Sequence, residues 1–510
     1  MGFLLAVHAA SGADAVLGRV RKLLAVYRLH EAMAALGPYL QAHPSDADAL
    51  MLAGQIAEAA GDPRTAQTRY QSAVEQASTS AEAHSRLARA LLAQNRLPEA
   101  AEQLRVALTA TPAEALTLAT AALYHLRRGR YDLSQQYADR ALAVDPASKE
   151  AALVAADLAC NRDDLAGARR TLERLLHDNP ADPDGLYMMG VVLFNQRDFQ
   201  EAQSYLERSS TINTFAAGIL RDLAQVLVQN GQLERALATL DRLLERFPDD
   251  APGRSLRSSL TERLELTRHG VQTQVGVFHV VHSPDLPSKI LDGIVSSFRT
   301  ACDAICPRLG YSPKNVNVWI FEQTQNQLPA FYNHLSDEII VSRKYFERMD
   351  EPEQRRIGLH LVLHEFTHLV AYQRLGQPAF TPRALWLMEG LAELMAGGYD
   401  YSDVGVSSIF ADGLLDFSQL AEHLPVSAAE TGPSRVKAYV QSYLMVDWLF
   451  KQPEPFPRFA RMISDYTRGA TDAEVVANTL RLTPEAFLGQ VASHIGSMEQ
   501  PVVRKAAGPG

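Results

Sequence analysis

The sequence predicts a chain in two parts, an all-α superhelix of repeated helical hairpins followed by an α+β domain. Three observations carry that reading. Small residues and prolines recur with a period of 34 across residues 13 to 248. Apolar residues alternate in strand fashion at three places beyond residue 270. A His-Glu-x-x-His run, residues 364 to 368, lies inside the strongly apolar helical stretch from Ile357 to Tyr372.

The composition suits that architecture. With 510 residues, 47% hydrophobic and 21% charged, the chain is long and apolar enough for more than one core. Its 59 acidic against 49 basic residues give a net charge of -10, so no general basic field exists to hold nucleic acid or anionic lipid. Nucleic acid is thereby excluded as the expected partner. Cys160, Cys302 and Cys306 are too few for a disulfide framework and form no CxxC pair, which leaves His, Asp and Glu to hold any metal. The opening apolar run spans only Phe3 to Val7 with no basic residue before it, which fails the tests for a secretory signal and points to a cytoplasmic location. No stretch approaches the roughly 18 consecutive apolar residues of a spanning helix, so no integral membrane segment is expected.

The repeat is legible from its punctuation. Pro44, Pro112, Pro146, Pro180 and Pro248 are spaced by 68, 34, 34 and 68, and the skipped slots fall at Ser78 and Thr214. Twelve residues before each slot stands a small side chain: Ala32, Ala66, Ala100, Ser134, Ala168, Ala202 and Ala236. A second small position recurs at Gly54, Ala88, Ala122, Ala156, Gly190 and Ala224, with Val20 in the first unit, and turn residues such as Gly61, Asn95, Gly129 and Gly231 separate the helices. This pattern resembles the tetratricopeptide repeat, with seven units over residues 13 to 248 and a degenerate first unit acting as a cap. The resemblance implies an extended superhelix whose concave surface binds a protein or peptide partner; the plainer reading is a solenoid that spaces or dimerises the second domain.

A helical stretch from Ser255 to Arg268, within a linker of residues 249 to 269, is expected to cap the array. Residues 275 to 281, 316 to 321 and 339 to 341 then read as strands, with a helix through Ile290, Ile294, Phe298, Ala301 and Ile305 between the first two. Cys302 and Cys306 lie on or beside that helix's packing face. From Gln354 onward the chain reads as helical, giving an α+β domain over residues 270 to 498 and a flexible Gly/Pro-containing tail from 499 to 510.

On a helix, His364 and His368 are one turn apart and can reach one tetrahedral metal ion, with Glu365 beside them as general base. A third ligand is available at Glu389, 389 − 368 = 21 positions on, after room for a loop and a returning helix. Glu393, one turn further, can accept the outer N–H of a ligating histidine. HExxH followed by W-L-x-E-G-x-A-E, Trp386 to Glu393, is similar to the gluzincin zinc metallopeptidases of the peptidase MA superfamily. That resemblance, covering residues 270 to 498, implies a thermolysin-like core with Zn2+ on His364, His368 and Glu389, Glu365 as base and Glu393 behind a ligand. Ala371 and Arg374 stand where the metzincin pattern demands Gly and His. The resemblance also implies a strand along the substrate cleft, expected at Glu338 to Ser342, and the absence of a Gly-x-Met-Glu-Asn signature favours endopeptidase over aminopeptidase action.

An oxyanion donor is sought in Tyr439 or Tyr443, one turn apart on a helix-like stretch; the plainer reading is that both pack with Trp448. His360, one turn before His364, reads as a packing or supporting histidine rather than a ligand. The sequence thus points to a zinc-dependent peptidase acting on a protein or peptide substrate recruited by a repeat array. The alternative is a non-catalytic adaptor whose second domain only binds.

Overall fold

A computed structural model of the chain describes residues 2–162, 164–322, 330–333, 337–348, 351–375, 382–398, 409–424, 433–468 and 470–498. The tail expected from 499 to 510 lies outside them. The chain divides into two compact units, Met1–Gly253 and Arg254–Gly510.

The first unit consists of seven helical hairpins in chain order: α1 (Gly2–Ala25) with α2 (Leu29–Ala42), α3 (Ala47–Ala59) with α4 (Pro63–Gln76), α5 (Ala81–Leu92) with α6 (Leu97–Ala110), α7 (Ala115–Arg127) with α8 (Tyr131–Val144), α9 (Lys149–Asn161) with α10 (Leu165–Asp178), α11 (Pro183–Asn195) with α12 (Phe199–Ile212), and α13 (Ala217–Gln229) with α14 (Leu233–Arg246). The first hairpin begins at Gly2 rather than at residue 13. Asp46, Asp62, Ser80, Ser148, Asp164, Asp182 and Asp198 cap helix starts by accepting a backbone N–H three residues on. The repeated prolines stand just past the ends of α2, α6, α8, α10 and α14, where continuation of a helix is blocked.

The two small-residue series are buried throughout. Ala32, Ala66, Ala100, Ser134, Ala168, Ala202 and Ala236 are each fully inaccessible. A Cβ at Gly54 would stand 2.3 Å from the Tyr70 ring, and one at Gly190 would stand 2.6 Å from Leu206, so close helix approach requires glycine at both.

Within this unit the array closes on itself. Tyr27, in the turn of the first hairpin, donates its hydroxyl to Asp184 of the sixth at 2.6 Å, and Lys149 of the fifth donates to the Tyr27 oxygen at 2.7 Å. Lys149 also pairs with Asp182 at 2.8 Å. Asn213 donates to the Ala59 carbonyl at 2.9 Å, and the Phe215 ring meets His30 at 4.7 Å while packing on the core of the first two hairpins. The superhelix is therefore tightly wound rather than extended, with its first hairpin in contact with its fifth and sixth.

In the second unit, α15 (Ala251–His269) leads into a five-stranded sheet of order β1-β2-β3-β5-β4: β1 (Val271–Val275), β2 (Phe278–His282), β3 (Val316–Phe321), β4 (Ala330–Asn333) and β5 (Glu338–Ser342). β2, β3 and β5 run parallel, with antiparallel strands at both edges. The alternation from 275 to 281 does not form one strand. Gly276, at φ 61°, turns the chain, and Val275 pairs with Phe278 across a two-residue loop. The expected cleft strand, β5, is interior and paired on both sides; the edge is β4, which carries too few residues to announce itself in the sequence.

One face of the sheet, through Phe278, Val280, Val318 and Val341, packs on α16 (Ser288–Leu309) and α18 (Pro352–Arg374), the latter preceded by the short α17 (Arg343–Phe346). The other face carries Phe321 and Ile340 against Leu266 of α15. Arg263 of α15 forks onto the buried Glu338 at 2.8 and 2.9 Å, stacks over Trp319 at 4.7 Å, and shares Glu338 with the Trp319 indole N–H. Thus α15 is an integral second layer of the sheet. The core continues through α19 (Leu385–Ala396), α20 (Phe417–His423), α21 (Pro433–Phe450), α22 (Pro455–Thr467), α23 (Asp472–Leu480) and α24 (Pro484–Met498).

Candidate metal centre

The HExxH run forms part of α18, whose later turns are buried without a break from Phe366 to Tyr372, which accounts for the apolar sequence there. His360, His364 and His368 recur every four residues along one stripe of this helix, and Glu389 and Glu393 recur at the same interval on α19. The two helices run antiparallel with these turns in register. They interleave as a ladder: His368 Nε2 lies 3.7 Å from Glu389 Oε1, Glu389 Oε2 lies 3.3 Å from His364 Nε2, His364 Nδ1 lies 2.9 Å from Glu393 Oε1, and Glu393 Oε2 lies 3.2 Å from His360 Nε2.

His364, His368 and Glu389 converge, with one ligating atom from each within 4.8 Å of the others and the two Nε2 atoms 3.1 Å apart. Two imidazole nitrogens and a carboxylate aimed at one point are a donor set that suits zinc. His364 turns its other nitrogen to Glu393, which leaves Nε2 to face the convergence point. The residues fit the ion. His360 faces Glu393 and is not one of the converging donors.

The electrostatics follow from this crowding. Burial opposes charge on His364, yet the Glu389 and Glu393 carboxylates outweigh it and hold its pKa well above the ordinary value. Burial likewise works against ionised Glu393, but His360 and His364 bring it down to about 2. Glu389 is lowered against burial by His368 and His364. Glu365 moves the other way. Burial pushes it up to about 7, despite His364 and a 2.7 Å hydrogen bond from the backbone N–H of Tyr332. A carboxyl group poised near neutrality is suited to accept and return a proton.

That hydrogen bond reveals something the sequence did not. Tyr332 lies on β4, at the sheet edge among the described residues, and its amide donates to Glu365, so this edge strand lies beside the candidate base. The two tyrosines also become distinguishable. Tyr439 is raised by burial and then by Glu389 and Glu365, whereas Tyr443 is raised by burial, Asp447 and Glu393. Tyr439 thus feels the Glu389 and Glu365 carboxylates, opposed by Arg435, whose guanidinium lies over its ring at 5.7 Å. Tyr443 belongs to the Glu393 side, where its hydroxyl packs against Gly398. Both are half-buried against the core, as the packing reading also expects.

Gly390 sets the approach of α21. A Cβ there would stand 2.3 Å from the Ser442 carbonyl oxygen, so the close α19–α21 crossing requires glycine. Sequence reasoning passed over this residue, although the small residue next to Glu389 was its signal.

Comparison with protein-family models matches the tetratricopeptide repeat at residues 52–115, 125–190 and 193–260. No curated protein matches the chain. Among solved structures it is similar to a tetratricopeptide repeat protein from Parabacteroides merdae, with 17% identity, a TM-score of 0.35, and coverage of 49% of this chain and 98% of the other. It is also similar to Pseudomonas aeruginosa pilF, with 19% identity, a TM-score of 0.30, and coverage of 42% and 97%. A third likeness is to YrrB, described as a repeat protein with an unusual peptide-binding site, with 18% identity, a TM-score of 0.26, and coverage of 37% and 97%. Scores this low carry no functional weight. Among the described residues no helix is long and apolar enough to cross a membrane. The N-terminal region of this chain is a helical array of tetratricopeptide repeats.

Proposed function

We propose that this chain binds a protein or peptide partner through its repeat array, and that its second unit hydrolyses peptide bonds at a zinc ion held by His364, His368 and Glu389. The observation that carries the catalytic half is the convergence of those three side chains beside Glu365. Zinc bound there would supply Lewis acidity toward a carbonyl and a water. Glu365 takes the water's proton and returns it to the leaving amine, Tyr439 donates to the developing oxyanion, and Glu393 holds the His364 ring. A substrate strand lies along β4, beside Glu365, which suits an endopeptidase.

The second reading is the adaptor, in which the second unit binds without cleaving. The family matches favour it, because they fall on residues 52–260 and speak for protein interaction alone. The two readings separate in one experiment: metal analysis of the purified full chain, followed by a peptide-library digest with and without chelator. Near-stoichiometric zinc with chelator-sensitive cleavage supports catalysis. Bound zinc without cleavage leaves the adaptor, and absence of zinc overturns the metal assignment.

A further inference from the structure

The ladder has one more rung than a three-ligand site needs. His360 Nε2 stands 3.2 Å from Glu393 Oε2, while the other Glu393 oxygen, Oε1, stands 2.9 Å from His364 Nδ1. Glu393 is buried, and its carboxylate lies between two imidazoles on consecutive turns of α18, at ion-pair distance from both without hydrogen-bond geometry to either. A carboxylate with one partner can present either oxygen and rotate about its terminal bond, whose torsional preference is broad. A carboxylate that faces an imidazole at each oxygen is biased electrostatically toward one orientation.

We propose that His360 is a positioning residue of the metal centre: by holding Glu393 Oε2 it fixes Glu393 Oε1 on His364 Nδ1, and so fixes the ring whose Nε2 faces the ion. This rests on the zinc reading of the site. His360 is not one of the converging donors, and the contact that links it to the ligand ladder is the one to Glu393. The loss of such outer support typically costs about 10 to 100-fold in metal affinity. What Glu393 requires at Oε2 is an N–H donor, which the side-chain amide of glutamine can supply and alanine cannot.

The test is a zinc competition titration of the full chain against a chromogenic chelator, with the visible spectrum of the Co(II)-substituted protein as a second readout, in wild type, His360→Ala and His360→Gln. We expect His360→Ala to bind zinc about 10-fold or more weakly, with an altered Co(II) band, and His360→Gln to recover most of the affinity and the spectrum. Equal affinity in wild type and His360→Ala, or equal loss in both variants, overturns the proposal. Should His360→Ala fail to fold, judged by the melting profile of the chelated protein, His360→Met replaces it as a variant of similar bulk without an N–H. Wild type that binds no zinc refutes the metal site itself, an outcome distinct from zinc binding that ignores residue 360.

Discussion

The hydroxyl of Tyr27 donates to Asp184 at 2.6 Å, joining the first hairpin of the array to the sixth across 157 positions of sequence. Tyr27 does this from a left-handed backbone conformation, φ 55°, at the turn position where other hairpins place Gly61, Asn95, Gly129 and Gly231. An L side chain held there costs roughly 1 to 2 kcal/mol, so tyrosine is retained at a site better suited to glycine, and its phenol bridges Asp184 and Lys149. Tyr27→Phe keeps the strain and loses both bridges. It should speed hydrogen exchange in α9 and α11, enlarge the radius of gyration of the array, and lower its stability by about 1 to 3 kcal/mol, the usual cost of losing a hydrogen bond to charged groups. Unchanged exchange in those helices would show that the closure is held elsewhere, at Asn213 and Phe215.

Burial drives the Glu365 pKa upward, to about 7, whereas the Glu389 and Glu393 carboxylates are lowered, and Glu365 is not a converging ligand. Glu365→Gln should therefore retain zinc while losing proton transfer, with kcat falling by about 100-fold or more. The glutamine oxygen can still accept the Tyr332 amide, so the edge strand should stay in place. Metal content and single-turnover hydrolysis of one library-derived peptide check this together. Full turnover with zinc bound would remove Glu365 from the mechanism.

The grouping of the candidate site's residues was legible in the sequence where it was local. His364, His368 and Glu389 follow from helical spacing and from the room for one returning helix, and the seven hairpins follow from buried small residues repeated every 34 positions. Features that depend on distant chain segments were not. Nothing near Tyr27 announces Asp184 or Lys149, and β4 is four residues long with no run of alternation to reveal it. Gly276 was hidden for a different reason: apolar residues continue in step on both sides of the turn, so a hairpin imitates one longer strand. His360 lay between these cases, since its spacing from His364 was plain but its partner Glu393 is on another helix.

Asp222 accepts the Tyr187 hydroxyl at 2.7 Å, yet burial raises its pKa above the ordinary 3.8 in spite of that bond and of Arg221. The sign follows directly. The folded state binds this proton more tightly than the unfolded chain, so the stabilisation is fully present below the unfolded value and is lost as pH rises through the folded one. Asp222→Asn keeps an acceptor for Tyr187 without the charge. It should raise the denaturation midpoint of the array at pH 7 and have no such effect well below the unfolded value of about 3.8, where the carboxyl is neutral in both folded and unfolded states. Urea melts at the two pH values check it; a gain of equal size at both would mean that packing, not charge, is responsible.

Gly390 tests how the candidate centre is assembled, because it separates the helix pair that carries the ligands from the helix that carries the tyrosines. His364 and His368 on α18 meet Glu389 on α19, and α21 approaches from the other side of α19 at Gly390. A Cβ at residue 390 meets backbone, the Ser442 carbonyl at 2.3 Å, which no rotamer change can relieve. Gly390→Ala must therefore push α19 and α21 apart by roughly 1 Å to restore ordinary contact distance, at about 1 to 3 kcal/mol for overpacking a core. The better helix propensity of alanine returns about 1 kcal/mol at most. The ligand ladder does not cross that interface, so zinc affinity should fall little. Tyr439 does cross it, and a displacement of this size at a hydrogen-bond donor is enough to cost about 100-fold in turnover. The expected outcome is a destabilised protein that keeps its zinc and loses its activity, measured by thermal melting, chelator competition and peptide hydrolysis on the same preparation. A variant as stable as wild type would mean the two helices are not in this close contact. Loss of zinc with turnover per bound ion preserved would mean that α21 supports the ligands rather than the oxyanion, and Tyr439 would lose its assigned role.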